Sequence, residues 1–338
     1  MIKIERNNIE EIANEYCNQM MRIIGGNVKG TTDCHNYYLK YIKDFIMCST
    51  SDFEKMKNEF EANCESEIEL TAIAQKEYDD FINDKKYKGK KQDPVYISKK
   101  ESLKNAISKT PYMLFTQSMQ ELYKDSFQKK VELSKNGKVV QGDPLGIWLA
   151  KELDVRTCPY CNRAYTFTVK TKHSVRPELD HFRPKSVFPY FALSFYNLIP
   201  SCPVCNHVKK ENIINIHPYE KAFGDEYKFQ LDILEYMLKN RITKVSIKVD
   251  DNNTNVETLM LNELYNEHLD YINELVDKAK AYNADYYNGI IESFHQLGAR
   301  PSEIDRYIWG CYLDVAEQGK RPLSKLTRDI LDQLDIDH

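Results

Sequence analysis

Four of the nine cysteines in this 338-residue chain form two CxxC pairs, Cys158 with Cys161 and Cys202 with Cys205, separated by 40 residues. Each CxxC turn presents two thiolates to one tetrahedral ion, so the two turns together complete a closed four-thiolate shell of the kind structural Zn2+ occupies. Four buried thiols without an ion would not need paired spacing, and a redox CxxC would have to arise twice outside any thioredoxin-like βαβ pattern. Between the pairs lies Glu178-Leu179-Asp180-His181, a short extended run that sets an acid beside an imidazole. Neighbours on a strand point to opposite faces, so Asp180 and His181 share a site only where the strand ends, which Phe182-Arg183-Pro184 permits. Alone, an Asp-His dipeptide equally describes a surface acid next to a packed histidine. Asn197 in Phe195-Tyr196-Asn197-Leu198 and Asn206 directly after the second pair change that reading. Pro203 suits the first turn of a helix and would put Asn206 on it, directed back toward a hairpin. An acid, an imidazole and an amide would then converge beside a zinc-locked frame.

The order CxxC, Asp-His, Asn-Leu, CxxC-Asn resembles the zinc-stabilised HNH endonucleases, a ββα-metal, treble-clef-like fold in which a hairpin and one helix enclose a catalytic metal. The resemblance is to the branch carrying Asp180-His181-Phe182-Arg183-Pro184-Lys185-Ser186, which includes effector nucleases of Septu-type and retron-linked anti-phage systems. It covers residues 155 to 215, and extends more loosely to Leu261-Asn262-Glu263-Leu264-Tyr265 and to Arg321-Pro322-Leu323-Ser324-Lys325-Leu326. Residues 1 to 130 carry no such likeness. The resemblance implies that His181 is the general base, that Asp180 and Asn206 bind a catalytic divalent metal, and that Asn197 braces the loop holding the histidine. It also implies anti-phage defence and a partner ATPase. The chemistry of each role stands independently: a histidine near neutrality takes a proton from water, and a hard cation on oxygen ligands stabilises a five-coordinate phosphorus.

Asp stands where the family name has its first His, and Asn where it has its last; oxygen ligands at both places favour Mg2+ or Mn2+. His207 lies about 100° around the helix from Asn206, so the two do not face one ion, and His207 is read as lying behind the metal's direct ligands or facing phosphate. His173 is a loop histidine with no assigned role. Arg183, Lys185, Lys209 and Lys210 flank the proposed centre as phosphate contacts. The interleaved aromatic residues, Tyr160, Tyr165, Phe167, Phe182, Phe188, Tyr190, Phe191, Phe195 and Tyr196, are read mostly as core.

These residues must be positioned by a predominantly helical chain. Residues 1 to 150 read as a helical region, with Ile9, Ile12, Ala13, Tyr16, Met20 and Ile23 at helical spacing up to Gly25-Gly26, a second helix over Tyr37 to Ile46, and a capping-box pattern at Ser51 and Glu54 before runs at 52–63 and 67–82. Lys85, Lys86, Lys88, Lys90 and Lys91 mark an exposed loop, Lys135-Asn136-Gly137-Lys138 a turn, and Trp148 and Leu149 a short helix leading to Cys158. Residues 151 to 220 form the small α+β nuclease module. Residues 221 to 338 read as mainly helical, with one strand near 242–249, a turn at Asp250-Asp251-Asn252-Asn253, one long helix from Val256 through Leu275, then 279–297, 302–318 and a last helix near Ser324.

Composition sets the outer limits. A mass of 39.7 kDa, 42% hydrophobic residues and a mean hydropathy of -0.60 describe a chain that builds real cores rather than a disordered tail. The opening MIKIERNNIEEI has no apolar leader and no run approaches 18 apolar residues, so a soluble, unexported protein of the reducing cytoplasm is expected. The absence of a GxxxxGK[ST] loop removes that route to nucleotide hydrolysis. The net charge of -4 argues against general nucleic-acid binding, but it is uneven. Residues 156 to 210 hold nine basic and two acidic residues, a surplus of seven, leaving -11 on the remainder. The reading is a DNA endonuclease with structural Zn2+ and catalytic Mg2+ or Mn2+. Its rivals are a ribonuclease or tRNA-cleaving toxin on the same fold, and an inactive zinc-ribbon nucleic-acid-binding module.

Overall fold

The computed structural model describes residues 2–25, 30–87, 91–135, 137–171, 174–224, 227–249, 254–282 and 284–335. Gly26, Lys88, Lys90, Asn136, Lys172, His173 and the turn at 250–253 lie outside them. The chain is mainly helical with three two-stranded sheets among the described residues. It divides into two compact units, one of Asn8–Leu149 with Arg183–Leu198, the other of Met1–Asn7, Ala150–Phe182 and Ile199–His338. Residues 183–198, grouped by sequence with the nuclease module, thus pack with the N-terminal helices.

Among its described residues the first unit holds seven whole α-helices: α1 (Ile9–Ile24), α2 (Asp33–Lys40), α3 (Ile42–Met47), α4 (Phe53–Asn63), α5 (Glu65–Asn83), α6 (Pro94–Ser108) and α7 (Pro111–Ser126). Helix α1 buries Ile12, Ala13, Tyr16, Met20 and Ile24 and stops at Gly25, whose left-handed φ of 39° lets its N–H cap Met21. The expected second helix is two helices broken at Tyr41. The Ser51–Glu54 capping box is absent: Thr50–Asp52 form a 3-10 turn, Asp52 is the N-cap of α4, and the Ser51 hydroxyl bonds Ser49 instead. Glu67 on α5 accepts the Asp33 and Cys34 amides at 2.8 and 3.0 Å, satisfying the orphan donors of the α2 N-terminus from another helix.

The core of this unit is aromatic. Phe45, Phe60 and Phe115 are fully buried, and residues 183–198 add Tyr190, Phe191 and Phe195; Tyr190 lies 4.3 Å from Phe60 and Phe191 4.7 Å from Phe53, centroid to centroid. Burying each ring contributes about 1.5–3 kcal/mol, which accounts for this excursion of the chain. A hairpin missed in the sequence follows α7: β1 (Lys130–Lys135) pairs antiparallel with β2 (Lys138–Pro144), two strands too polar to be read as such, and the expected turn at 135–138 includes Asn136, outside the described residues. The buried side chain of Gln19 clamps Glu132, accepting its N–H at 2.9 Å and donating to its carbonyl at 2.6 Å. Gly142 is required there, because a Cβ would meet Val131 Cγ2 at 2.7 Å. Helix α8 (Leu145–Leu153) carries the chain from this unit into the other.

The second unit contains β3 (Glu178–His181) paired with β4 (Leu198–Ser201), followed by α9 (Pro203–Lys209), β5 (Phe229–Leu231), α10 (Ile233–Lys239) and β6 (Val245–Ile247). Then come α11 (Asn255–Thr258), α12 (Leu261–Asn266), α13 (Leu269–Ala281), α14 (Ala284–Gln296), α15 (Pro301–Trp309) and α16 (Ser324–Gln333). The long helix expected from Val256 is three helices, broken where Met260 takes a left-handed φ of 50° and again at His268. The run 302–318 ends as a helix at Trp309, capped by Gly310 at φ 75°, and resumes as a 3-10 segment, Val315–Lys320.

A two-stranded sheet is marginal in water by itself. Here β5 and β6 pair antiparallel, Phe229 opposite Ile247, and helix side chains satisfy their outer edges. Asn262, Asn266 and Asn273 accept the amides of Ile247, Val245 and Ile242 at 2.8–3.0 Å, while Asp329 and Gln333 accept those of Phe229 and Leu231 at 3.0 and 2.9 Å. No described helix is long and apolar enough to cross a membrane.

Asp329 is buried with Lys325, Nζ to Oδ2 2.9 Å. Burial raises its carboxyl above the ordinary range, opposed by Lys325 and by the Phe229 amide. A carboxyl raised in the fold stabilises fully below its unfolded value of about 4 and loses that contribution as pH climbs through the folded value. Urea unfolding across pH 4 to 8 should therefore show wild-type stability falling relative to Asp329→Asn as pH rises; a constant difference would contradict this.

Candidate metal centre

The first CxxC turn is a tight knuckle. Cys158 N–H donates to Ala164 O at 2.9 Å and Asn162 N–H to Cys158 O at 2.7 Å, with Asn162 at a φ of 50°, a conformation asparagine tolerates. Its side chain, 1% exposed, donates to Thr157 Oγ1, Gln318 O and Arg321 O at 3.0–3.2 Å, and its own carbonyl accepts the Leu323 amide. The Tyr265 hydroxyl donates to Cys161 O. The two looser sequence signatures, 261–265 and 321–326, thus lock this knuckle in place. In the second pair, Cys202 is the N-cap of α9, its sulfur accepting the Cys205 amide at 3.5 Å, with Pro203 in the first turn.

All four sulfur atoms are buried and lie within 4.8 Å of one another. A tetrahedral zinc with Zn–S bonds of about 2.3 Å needs sulfurs about 3.8 Å apart, and Cys161 and Cys202 are separated by 3.9 Å. Hydrogen bonds from Cys158, then Cys161 and Cys205, hold Cys202 well below the usual thiol range, and a bond from Cys158 lowers Cys161, while burial pushes Cys158 up. The cluster can hold a metal such as zinc.

Strand β3 turns Glu178 and Asp180 to one face, and helix α9 presents Asn206 and Lys209, three residues apart, to that face. Asn206 donates to Glu178 Oε2 at 2.6 Å. Lys209 is fully buried, with Nζ 3.1 Å from Asp180 Oδ2, 3.3 Å from Oδ1 and 2.7 Å from the carbonyl of His181. Tyr160, inside the first knuckle, donates to Asp180 Oδ2 at 2.6 Å. Burial raises the Asp180 carboxyl against the pull of Lys209 and then Tyr160, and burial followed by the Asp180 charge drives the Tyr160 phenol well above its ordinary value. His181 closes the strand at 7% exposure.

Asp180, His181 and Asn206 therefore sit on adjoining elements beside the cysteine cluster, but the amide of Asn206 meets Glu178. Asn197, fully buried in the other unit, grips the backbone of Arg183 from both sides, accepting its N–H at 2.6 Å and donating to its carbonyl at 3.0 Å. Of the four cations read as phosphate contacts, Lys210 is exposed; Lys209 is interior, correcting its placement on the surface. Arg183 pairs with Glu54 at 3.1 Å and Lys185 lies 4.4 Å over the Tyr123 ring. His207 is exposed. Most of the aromatics are interior as read, but Tyr165 and Phe167 are each half exposed. Glu178 and Tyr160 escaped the reading of the site, although the strand's period of two put Glu178 on the Asp180 face.

The chain is 28% identical over 133 residues to the Septu protein PtuB of Bacillus thuringiensis, a match covering 39% of this chain and 47% of that protein, so the chain spans about half the length of the relative it matches. No known family profile and no solved structure matches it. The similarity supports a distant relationship to Septu proteins.

Purified protein should carry about one zinc ion per chain by elemental analysis, lost in Cys202→Ala together with a cooperative melt of this unit. Lys209→Met, which strands the buried Asp180 charge, should lower the unfolding free energy by about 3–5 kcal/mol, and Asp180→Leu in the same chain should recover most of it. Urea titration of the three variants measures both effects.

Proposed function

We propose that this chain is a metal-dependent endonuclease of the HNH, ββα-metal type, cutting phosphodiester bonds in DNA as the effector of an anti-phage defence system with an ATPase partner. The observation that carries the reading is the succession β3, β4, α9, with Asp180-His181 at the end of the first strand, Asn206 on the helix, and the cysteine cluster holding the helix start. The distant similarity to a Septu protein supports the defence role. An ATPase as a separate partner fits a chain without a phosphate loop of its own.

In this reading His181 takes the proton of a water aligned on the phosphodiester, a task suited to imidazole at neutral pH. Its backbone carbonyl is tied to Lys209 and its neighbour Asp180 to Tyr160, so the base stands on a fixed strand end. Asp180 and Asn206, with Glu178 on the same face, offer a donor set of oxygens only, which fits Mg2+ or Mn2+; such a cation, when bound, neutralises charge developing on the phosphate and the departing 3′ oxygen. Two of these donors are already engaged, Asp180 with Lys209 and Tyr160 and Asn206 with Glu178, and those bonds keep the oxygens oriented toward one strand face.

Plasmid nicking in Mg2+ or Mn2+ should fall about 10²- to 10⁴-fold in His181→Ala. Unchanged nicking would remove His181 as base and favour a zinc-ribbon binding module, and preferential cutting of RNA at matched salt would replace DNA as the substrate.

A further inference from the structure

Between the first cysteine knuckle and β3 the chain runs out as an extended arm and returns, Val169 and Val175 bridging antiparallel with N–H···O distances of 2.8 and 3.0 Å. Its outward stretch alternates. Thr166 is buried, its hydroxyl donating to Val155 O at 2.7 Å, while Tyr165, Phe167 and Val169 are 50%, 50% and 49% exposed, and Val175 is 62% exposed. Tyr165 and Phe167 stack on each other at 4.5 Å between centroids and 20° between planes. Half-exposed aromatics stacked at a strand's period of two present a π surface to solvent rather than to a core.

Charge indicates what covers that surface. From Ala164 to Pro177 the sequence contains no acid, while Lys170 and Arg176 flank the apolar stripe, in a chain whose net charge is -4. An acid-free, cationic, aromatic strip complements a ligand that combines anionic groups with flat π faces, which is the chemistry of a nucleic-acid strand; cations track phosphates and ring faces accept bases. We propose that this arm is a DNA-binding element in which Tyr165 and Phe167 extend their stack onto an unpaired or unstacked base, with Lys170 and Arg176 on the backbone. The proposal deepens the nuclease reading by naming where the strand is held, and it rests on that reading for the identity of the ligand.

Its test is binding rather than cleavage. Fluorescence anisotropy with a labelled single-stranded oligonucleotide and its duplex, without divalent cations, should show Tyr165→Ala/Phe167→Ala raising Kd about 10- to 100-fold with the salt slope unchanged. Lys170→Gln/Arg176→Gln should reduce the slope by about one to two. Tyr165→Ile/Phe167→Ile keeps apolar bulk and strand propensity while removing the π faces, so it should bind as weakly as the alanine pair and melt at the wild-type temperature. Wild-type affinity in the isoleucine pair would overturn the proposal, as would unchanged DNA affinity combined with lost binding of a protein partner. If the wild type binds DNA through the arm yet cuts nothing, the nuclease reading falls and the arm stands; if it cuts and the arm variants bind normally, the reverse holds.

Discussion

Much of the second unit depends on bringing the sulfurs of two CxxC turns, 40 residues apart, to within 4.8 Å. Crowding four buried thiolates is unfavourable unless a cation gathers their charge, so a metal at this point would act as a cross-link between distant parts of the chain. Each knuckle passes that constraint onward. The first carries Tyr160 to the Asp180 carboxylate, and the second starts the helix whose other end delivers Lys209 to the same carboxylate. Both paths end at β3, and Lys209 also grips the carbonyl of His181. A seven-residue helix has little stability alone, and here one end is capped by a cluster cysteine and the other is held by an ion pair.

The second organising constraint is the satisfaction of backbone polar groups in very small sheets. Neither β5 nor β6 has a further strand to pair with among the described residues, and side chains stand in for one. Asparagines along α12 and α13 take the free edge of β6, and Asp329 and Gln333 of α16 take that of β5. An asparagine offers one acceptor and two donors in a plane and so mimics a peptide unit; Asn266 and Asn273 use both, donating to Val245 and Ile242 as well. The Leu261–Tyr265 and Arg321–Leu326 segments, which accompany the paired cysteines in the sequence, are thereby explained as supports of the frame: Asn262 on the sheet edge, Tyr265 on Cys161, and Leu323 and Lys325 on Asn162.

The basic surplus of residues 156–210 proves to be divided. Lys209 is consumed inside the fold by Asp180, Arg183 by Glu54, and Arg156 leans on Asp154 at 3.7 Å. Charge that looks available for phosphate in a linear count is partly committed to internal partners. The stretch from 164 to 177 differs in composition, since its sequence contains no acid and it carries the half-exposed rings of Tyr165 and Phe167.

Features that depend on local spacing were legible in the residues alone: the paired cysteines, the helical character of both flanking regions, the stop of α1 at Gly25, and the Asp180-His181 and Asn206 residues on a strand and a following helix. They are legible because the period of a helix or strand and the geometry of a CxxC turn are written within a few residues. What each group meets was settled by the packed chain. Whether Asn206 faces Asp180 or Glu178, whether Lys209 is a surface cation or a buried counter-ion, and whether 183–198 joins the cysteine-bearing unit or an aromatic core depend on burial and charge pairing between segments far apart in the chain. The helix breaks at Tyr41, Met260 and His268 belong to the same class, because packing overrode a hydrophobic pattern that would have continued. Spacing names the candidates for chemistry, and the desolvation and pairing of distant charges assign their partners.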